Sequence, residues 1–252
     1  MDASRHAGRT AIVTGGASGI GRATALRMAG EGARIIACDV SEEGLSRTLG
    51  DLQAFGGDHQ IVNADVAAQA DVDRVVAAAD GKIEILANVA GIMDHFLPLG
   101  EVDDETWDRV LAVNLTGVMR LTRSVLPVMQ EAGGGAVVTV ASEASLGAGA
   151  AGVAYTASKH GVIGLVRHVA FFYGPSGIRS NAVLPGGVDT GIGATSEPRS
   201  GWVMERAQLK MATMGPVAEP DQIATVISWL ACDEASNVNG AVVTSDGAWS
   251  AA

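Results

Sequence analysis

The chain alternates short runs of apolar, β-favouring residues with longer segments of helical periodicity, and this alternation limits its fold more than any other feature. The strand candidates are residues 10–14, 34–38, 59–62, 85–88, 136–140, 179–183 and 241–244. Helical patterns lie between them, near residues 20–30, 42–55, 68–79, 104–131, 153–173 and 220–231. Several strand candidates are continuously apolar, which is typical of strands buried on both faces. We therefore predict the α/β class, with a doubly wound sheet of about seven parallel strands and helices on both faces.

Length and composition fit one folded domain. The chain has no linker or break in composition, so we expect a single domain that spans residues 1–252. Apolar residues make up 48% of the chain and charged residues 18%, which allows a large core and argues against disorder. The formal net charge of −11 argues against binding to nucleic acid or to an anionic membrane surface.

Cysteines, histidines and the N-terminal segment bear on location and metal binding. Cys38 and Cys232 lie in apolar runs, so we predict two buried thiols, no disulfide and a cytoplasmic location. Residues 1–6 are polar and lack the core of a signal peptide, and no stretch has the character of a membrane span. The five histidines are scattered and form no metal-binding motif, so we expect no metal.

A glycine-rich turn follows the first predicted strand directly. Its sequence, Gly15-Gly16-Ala17-Ser18-Gly19-Ile20-Gly21, leads into a helical pattern. Glycines let the backbone approach a pyrophosphate closely, and the N-terminus of a helix presents free N–H groups to it. In this position the pattern predicts a dinucleotide-binding turn.

Asp39 closes the second predicted strand, 24 residues after Gly15. A carboxylate there can accept hydrogen bonds from the adenosine ribose and repel a 2′-phosphate. Neither Ser18 nor Val40 adds a basic residue, so we predict NAD(H) in preference to NADP(H). The alternative is a turn residue before the helix at Ser41, and one carboxylate can serve both purposes.

Tyr155 and Lys159 lie four residues apart in a helical pattern, with Ser142 thirteen residues before the tyrosine. One helical turn separates them, so both side chains share a face. A phenol is a poor base at neutral pH, but a neighbouring ammonium favours the phenolate and lowers its pKa. A tyrosine tuned in this way can exchange a proton with an alcohol or a carbonyl.

The glycine turn, Ser142, Tyr155 and Lys159 together resemble the short-chain dehydrogenase/reductase family, from about residue 8 to residue 249. The resemblance implies a Rossmann fold and a catalytic set made of Asn114, Ser142, Tyr155 and Lys159. The cofactor contacts that it implies are Gly15, Ser18, Gly19, Ile20, Gly21, Asp39, Asp65, Val66, Asn88, Ala90, Gly91, Tyr155, Lys159, Pro185, Gly186, Val188 and Thr190. The chain departs from the family pattern at Val89, where a second asparagine is usual, and at Ala248, where a glycine is usual.

Several of these matches have structural alternatives. Asn114, which the resemblance associates with a proton-relay water, could instead satisfy buried helix backbone groups. Asp65 could cap the helix that follows it. The pair Pro185-Gly186, which the resemblance puts beside the nicotinamide, could form an ordinary turn.

Residues 189–217 look irregular and carry two prolines, so we expect a lid or binding loop there. Its apolar residues suggest an apolar or mixed ligand, such as a cyclic alcohol, a steroid-like or terpenoid ketone, or an acyl chain. The candidate substrate contacts, including residues near the predicted strand ends, are Met93, His95, Glu143, Trp202 and Met204.

We expect an NAD(H)-dependent oxidoreductase that transfers a hydride between nicotinamide and a secondary alcohol or ketone. The alternatives are a catalytically silent NAD-sensing or scaffold protein and a reductase of 3-oxoacyl thioesters. An epimerase or dehydratase fits less well, because such relatives usually carry a separate substrate domain. The 104–131 and 153–173 helical patterns have more apolar residues than one buried face needs, so we also expect a homotetramer.

Overall fold

The computed structural model of the protein describes residues 3–194 and 197–251. Seven parallel strands form one sheet in the order β3-β2-β1-β4-β5-β6-β7. Their bounds are β1 Thr10–Thr14, β2 Arg34–Asp39, β3 Gln60–Asn63, β4 Ile85–Asn88, β5 Gly135–Val140, β6 Ile178–Pro185 and β7 Val242–Ser245. The predicted doubly wound α/β fold with a parallel sheet is confirmed.

Helices cover both faces of this sheet. Their bounds are α1 Gly19–Gly30, α2 Glu42–Leu52, α3 Gln69–Ala77, α4 Asp104–Leu111, α5 Val118–Glu131, α6 Val153–Tyr173, α7 Gly191–Ala194, α8 Gly201–Met211 and α9 Pro220–Ala231. Buried side chains of α1, α2 and α9 pack on one face, and those of α3, α5 and α6 pack on the other. Within the described residues, no helix is both long and apolar enough to cross a membrane.

Two segments differ from the prediction. The single helix expected over 104–131 is divided by a π-helical turn, Ala112–Gly117, which joins α4 to α5. A π-helical turn needs no proline or other helix breaker, so the sequence pattern was read as one continuous helix. The segment 189–217, expected to be irregular, contains α7 and α8, whose mixed surfaces give only weak helical patterns.

The central crevice of the sheet lies where the strand order reverses, between β1 and β4. In doubly wound sheets, ligands bind outside the carboxyl ends of the strands at this point. Thr14, the last residue of β1, ties the two sides together, because its Oγ1 accepts hydrogen bonds from the N–H groups of Val89 and Ala90, each at 2.9 Å.

Candidate active site

A cleft of about 440 Å³ opens at the carboxyl ends of the strands. Among the residues predicted from sequence, those that line it are Gly15, Ser18, Gly19, Ile20, Gly21, Asp39, Asp65, Val66, Ala90, Gly91, Ser142, Tyr155, Lys159, Pro185, Gly186, Val188 and Thr190. The fold therefore brings residues from six strand ends into one site, as the alternating pattern required. The lining also includes Arg109, Val113 and Ile192, which no sequence motif singled out.

The glycine turn approaches its neighbours too closely for side chains. Gly15 has a positive φ of 69°, which favours glycine. A Cβ atom on Gly21 would lie only 2.1 Å from the carbonyl oxygen of Gly15. Helix α1 begins at Gly19, and its N-cap, Ser18, makes no side-chain cap hydrogen bond. The first turn of α1 therefore suits the phosphates of a dinucleotide, which would accept hydrogen bonds from its N–H groups.

Asp39 accepts hydrogen bonds from the backbone of the glycine turn and from the backbone just after β2. Its Oδ2 accepts a hydrogen bond from the N–H of Ala17 at 3.2 Å, and its Oδ1 accepts one from the N–H of Ser41 at 3.0 Å. The turn role considered from sequence is therefore present. The same carboxylate lines the cleft beside Val40, where it can also meet a ribose.

Asp65 does not cap the helix that follows it. Its Oδ1 accepts from the N–H of Ala67 at 2.9 Å, whereas the N-cap of α3 is Ala68. Its Oδ2 lies 2.8 Å from Nη1 of Arg109 on α4. This ion pair links the loop after β3 to α4 across the cleft lining, and no local sequence pattern predicts it.

Asn88 serves the sheet rather than the cleft. Its side chain is buried, and Nδ2 donates hydrogen bonds to the hydroxyls of Thr122 at 3.1 Å and Thr139 at 3.4 Å. It thereby fastens β4 to α5 and β5. Asn88 is a predicted cofactor contact, but it does not line the cleft. Ala90 and Gly91, which follow it in the chain, do line the cleft.

Tyr155 and Lys159 lie on one face of α6, and both are buried. The Nζ atom of Lys159 lies 5.5 Å from the centroid of the tyrosine ring. It donates a hydrogen bond to the carbonyl of Val140, the last residue of β5, at 2.9 Å. The hydroxyl of Ser142, two residues further on, lies near enough to the phenol to lower its pKa. The three side chains predicted from sequence therefore meet in the cleft.

Burial dominates the ionisation of this pair. It raises the pKa of Tyr155 to about 12, and although the hydroxyl of Ser142 lowers this pKa, the charge of Asp94 raises it further. Burial also lowers the pKa of Lys159 to about 8. Lys159 was expected to lower the pKa of this phenol, but in the protein without a bound nicotinamide desolvation opposes the charged form of both groups and the pKa is raised.

Asn114 lies in the π-helical turn and is fully buried. Its Oδ1 accepts a hydrogen bond from the N–H of Ile92, and its Nδ2 donates to the carbonyl of the same residue, both at 2.9 Å. Nδ2 also reaches the hydroxyl of Ser158 at 3.3 Å. The side chain thus joins the π-helical turn to the loop after β4 and to α6, instead of satisfying backbone groups of its own helix.

The two ends of segment 189–217 are held together at its base. Val188 and Ala218 form a parallel bridge, with the N–H of Asp189 donating to the carbonyl of Ala218 at 2.9 Å. Farther along, the N–H of Arg199 donates to the carbonyl of His95 at 3.1 Å. The segment therefore leaves and rejoins the fold at one point and contacts the loop after β4.

The candidate substrate residues lie around the cleft rather than in its lining. Met93 packs with the cluster that contains Tyr155, and Met204 on α8 is half-buried. His95 has a φ of 56°, and its ring contacts Arg199 at 3.1 Å. Trp202 is 61% exposed, and its Nε1 donates to Oε1 of Glu101 at 2.6 Å.

Glu143, next to Ser142, is held by the lid segment. Its side chain is 2% exposed, and its Oε1 lies 2.7 Å from Nζ of Lys210 on α8. Its other oxygen, Oε2, is buried without a hydrogen-bond partner in the protein. This residue therefore connects the loop that carries Ser142 to the segment that we expected to act as a lid.

Comparisons with known proteins identify the family. The sequence profile of the family described as Enoyl-(Acyl carrier protein) reductase matches residues 15–250. The chain is 40% identical to 3beta-hydroxysteroid dehydrogenase 2 of Eggerthella lenta over 259 aligned positions, which cover 100% of both chains.

Two solved structures extend the agreement to the fold. The structure of levodione reductase has a TM-score of 0.88 at 36% identity, with 98% of this chain and 100% of that chain covered. A short chain dehydrogenase from Mycobacterium paratuberculosis, bound to NAD, has a TM-score of 0.91 at 32% identity, with the same coverage. With its cleft, its motifs and these relatives, the chain belongs to the short-chain dehydrogenase/reductase family.

Proposed function

We propose that this protein is an NAD(H)-dependent oxidoreductase that interconverts a secondary alcohol and a ketone. The observation that carries the proposal is the meeting of Ser142, Tyr155 and Lys159 in the cleft that also contains the glycine turn. A proton-transfer group and a dinucleotide site in one cleft suit hydride transfer. Together they favour an enzyme over a silent NAD-sensing protein, because such a protein would need only the dinucleotide site.

The chain's residues fit a dinucleotide. The glycine turn and the uncapped start of α1 suit its phosphates, and Asp39 suits an unphosphorylated ribose. The cleft does contain one arginine, Arg109, but this guanidinium is engaged by Asp65. These features support NAD in preference to NADP.

When bound, the nicotinamide supplies the hydride acceptor or donor. In alcohol oxidation, the oxygen of Tyr155 takes the hydroxyl proton while the carbon–hydrogen bond gives up its hydride and a carbonyl forms. In ketone reduction, the same phenol returns the proton. Ser142 donates a hydrogen bond to the substrate oxygen and orients it. Lys159, held at Val140, supports the phenolate and can hydrogen-bond the ribose of the nicotinamide.

Asn114 and Lys159 both lie beside Gly91 in this scheme. A Cβ atom on that glycine would be 3.4 Å from Oδ1 of Asn114 and 3.5 Å from Nζ of Lys159. Asn114 thus keeps the π-helical turn next to Lys159. We assign Asn114 to a water path that returns protons from this lysine to solvent. Its part is to hold that path open, since its own side chain is bonded to Ile92.

The proposed substrate class is an apolar ring that carries the reacting oxygen. Two relatives over the whole chain are named for a 3β-hydroxysteroid and for levodione. Segment 189–217 adds apolar surface that is still exposed, with Trp202 61% and Leu209 62% exposed, and we propose that it acts as a lid on such a ring.

We also propose a cytoplasmic homotetramer. Cys38 and Cys232 are both buried free thiols, which is typical of a reducing compartment.

Most apolar residues of α5 and α6 pack on the sheet, but Phe171 and Phe172 are 76% and 62% exposed. Covering these rings supports association of subunits, and light scattering distinguishes a tetramer from a dimer or monomer.

The direct test is NADH absorbance with a panel of substrates. The panel contains cyclohexanol, a 3β-hydroxysteroid, a straight-chain secondary alcohol and a 3-hydroxyacyl thioester, each with NAD and with NADP. We expect the highest kcat/KM for a ring alcohol with NAD. A preference for the thioester would show that the substrates are acyl thioesters instead of ring alcohols. Tight NAD binding without turnover of any panel member, or of the matching ketones with NADH, would support the silent alternative.

A further inference from the structure

Asp94 is a buried carboxylate that caps the N-terminus of α6 from a neighbouring loop. It is fully buried in the loop that follows β4. Its Oδ1 accepts a hydrogen bond from the N–H of Gly152 at 3.0 Å, and its Oδ2 accepts one from the N–H of Tyr155 at 2.9 Å. Gly152, the N-cap of α6, has no side chain to serve this purpose. Asp94 therefore supplies acceptors that the first turn needs, and its charge meets the positive end of the helix dipole.

The contact between this loop and α6 is too close for any residue but glycine at position 152. A Cβ atom there would lie 2.5 Å from the backbone nitrogen of Leu97 and 2.6 Å from Oδ2 of Asp94. The N–H of Val153 also donates to the carbonyl of Leu97 at 2.9 Å. Three hydrogen bonds thus fasten residues 94–97 to the start of α6.

The two fastened segments each contribute to the cleft. The loop after β4 brings Ala90 and Gly91 to its lining, and α6 brings Tyr155. Because the N–H of Tyr155 is itself bound by Asp94, the base of the tyrosine side chain is fixed relative to the loop after β4. We propose that Asp94 is a positioning residue for Tyr155, whose backbone it holds against the loop after β4. This proposal rests on the proposed function of the same site.

The negative charge of Asp94 acts on the phenol together with its neighbours. Lys159 on α6 lies 5.5 Å from the centroid of the tyrosine ring. Glu143, in the loop that carries Ser142, is paired with Lys210 on α8. Burial is the largest influence on the pKa of Tyr155, and Asp94 raises that pKa further. Removal of this one charge therefore favours the phenolate.

Three substitutions separate position from charge. Asp94→Asn keeps the size, removes the charge and leaves one acceptor for the two N–H groups. Asp94→Glu keeps the charge and displaces it by one methylene, and Asp94→Ala removes both the charge and the acceptors. The matched control is Asp103→Asn, because Asp103 caps α4 in the same way, with Oδ1 accepting from the N–H of Thr106 at 2.7 Å. We measure kcat and KM across pH with NAD and the ring alcohol of the panel that is oxidised fastest.

We expect Asp94→Ala and Asp94→Glu to lower kcat at least about tenfold, because a small displacement of an acid/base group has a large effect on rate. The KM for NAD stays within about threefold of wild type, since the phosphate and ribose contacts are untouched. Asp94→Asn moves the ascending limb of kcat/KM to lower pH by about half a unit or more. Asp94→Glu leaves that limb in place, and Asp103→Asn changes neither quantity.

Wild-type kcat and an unmoved pH profile in the Asp94→Asn and Asp94→Glu proteins would overturn the proposal. Circular dichroism checks that each variant is folded. If Asp94→Ala does not fold, the other two variants decide, because loss of a purely structural cap would lower stability without moving the pH limb of the folded protein.

A readout without turnover separates this proposal from the proposed function. The chain has two tyrosines, Tyr155 and Tyr173, so in a Tyr173→Phe background the ultraviolet absorbance of phenolate reports Tyr155 alone. Rapid mixing into alkaline buffers gives this absorbance before the protein unfolds. Asp94→Asn should lower the midpoint of phenolate formation even if no alcohol is oxidised. Equal midpoints with Asp94 and Asn at this position would overturn the charge effect.

Discussion

Glu143 and Lys210 form an ion pair of 2.7 Å that joins the loop of the proposed catalytic serine to the proposed lid. The two partners are unequal in burial. The carboxylate side chain is 2% exposed, whereas that of the lysine is 26% exposed. The ammonium also lies 5.5 Å from the ring centroid of Trp249, whose Nε1 donates to the carbonyl of Lys210 at 2.8 Å. The pair thus fixes the end of α8 between the site and the C-terminal segment.

This inequality predicts unequal effects of breaking the pair. Lys210→Met leaves a buried carboxylate without a partner and should lower the free energy of unfolding by about 3 kcal/mol. Glu143→Gln leaves a lysine that can reach water, and should lower it by about 1 kcal/mol. Urea unfolding measures both values. The control is the exposed pair of Glu43 and Arg47, for which either substitution should change stability by about 0.5 kcal/mol or less. Equal losses at the two ends of the buried pair would contradict this account.

The charge of Asp39 should govern the choice of cofactor. Asp39→Asn keeps an acceptor for the backbone of the glycine turn but removes the repulsion of a 2′-phosphate. We expect kcat/KM with NADP to rise at least about tenfold relative to NAD, since close charges contribute a kcal/mol or more. Glu43→Gln removes one exposed charge from α2 and should leave the ratio unchanged. If the ratio is the same in both variants, Asp39 acts only as a turn residue.

The raised pKa of Tyr155 should appear in the pH dependence of turnover. Oxidation needs the phenolate, and burial raises the pKa of this phenol to about 12. kcat/KM for the alcohol should therefore rise with pH from neutrality upward, by up to about tenfold per unit. Ketone reduction needs the protonated phenol, so it should be independent of pH from neutrality up to the pH at which this phenol begins to ionise. Oxidation that is already independent of pH at neutrality would speak against this tyrosine as the base.

A buried histidine should make stability fall in mild acid. His6 is fully buried, with Nε2 3.0 Å from the hydroxyl of Ser228 and 3.5 Å from Oε2 of Glu31. Burial lowers the pKa of His6 to about 4, although Glu31 acts in the opposite direction. The unfolded chain takes up this proton below about pH 6.5 and the folded protein does not. The stabilisation is therefore complete above pH 6.5 and is lost as the pH falls toward about 4.

The size of that loss is up to about 3 kcal/mol, from the linkage between pKa and stability. Denaturant unfolding of wild type and His6→Gln across this range isolates the contribution, since other titrating groups are common to both proteins. The difference in free energy between them should change with pH in favour of the variant as acid is added. A constant difference would show that His6 is equally accessible to protons in both states.

The features that could be predicted from the sequence are those that local pattern encodes. The strand at Thr10–Thr14, the glycine turn and the pair Tyr155 and Lys159 each depend on a few neighbouring residues, so they could be placed on elements before the fold was known. Their convergence follows from the rule that parallel strands end at one edge of a sheet. The acidic start of α4 is equally local, with Asp103 bound to the N–H of Thr106.

The features that could not be predicted depend on contacts between distant segments. Asp94 lies 58 residues from Gly152, whose N–H it binds, and no local pattern connects the two. Asn114 bonds to Ile92, 22 residues away, through a π-helical turn that apolar spacing does not reveal. The raised pKa of Tyr155 follows from burial, which a motif of four or five residues does not contain.

The most direct test of the central claim is the turnover of Tyr155→Phe, which keeps the ring and removes only the hydroxyl that exchanges the proton. We expect kcat for the ring alcohol with NAD to fall at least about a hundredfold, because acid–base catalysis contributes 10²–10⁴-fold. The dissociation constant for NADH, measured by fluorescence, should stay within about threefold of wild type, since the glycine turn and Asp39 are unchanged. Retention of more than about a tenth of wild-type kcat in this variant would contradict the claim.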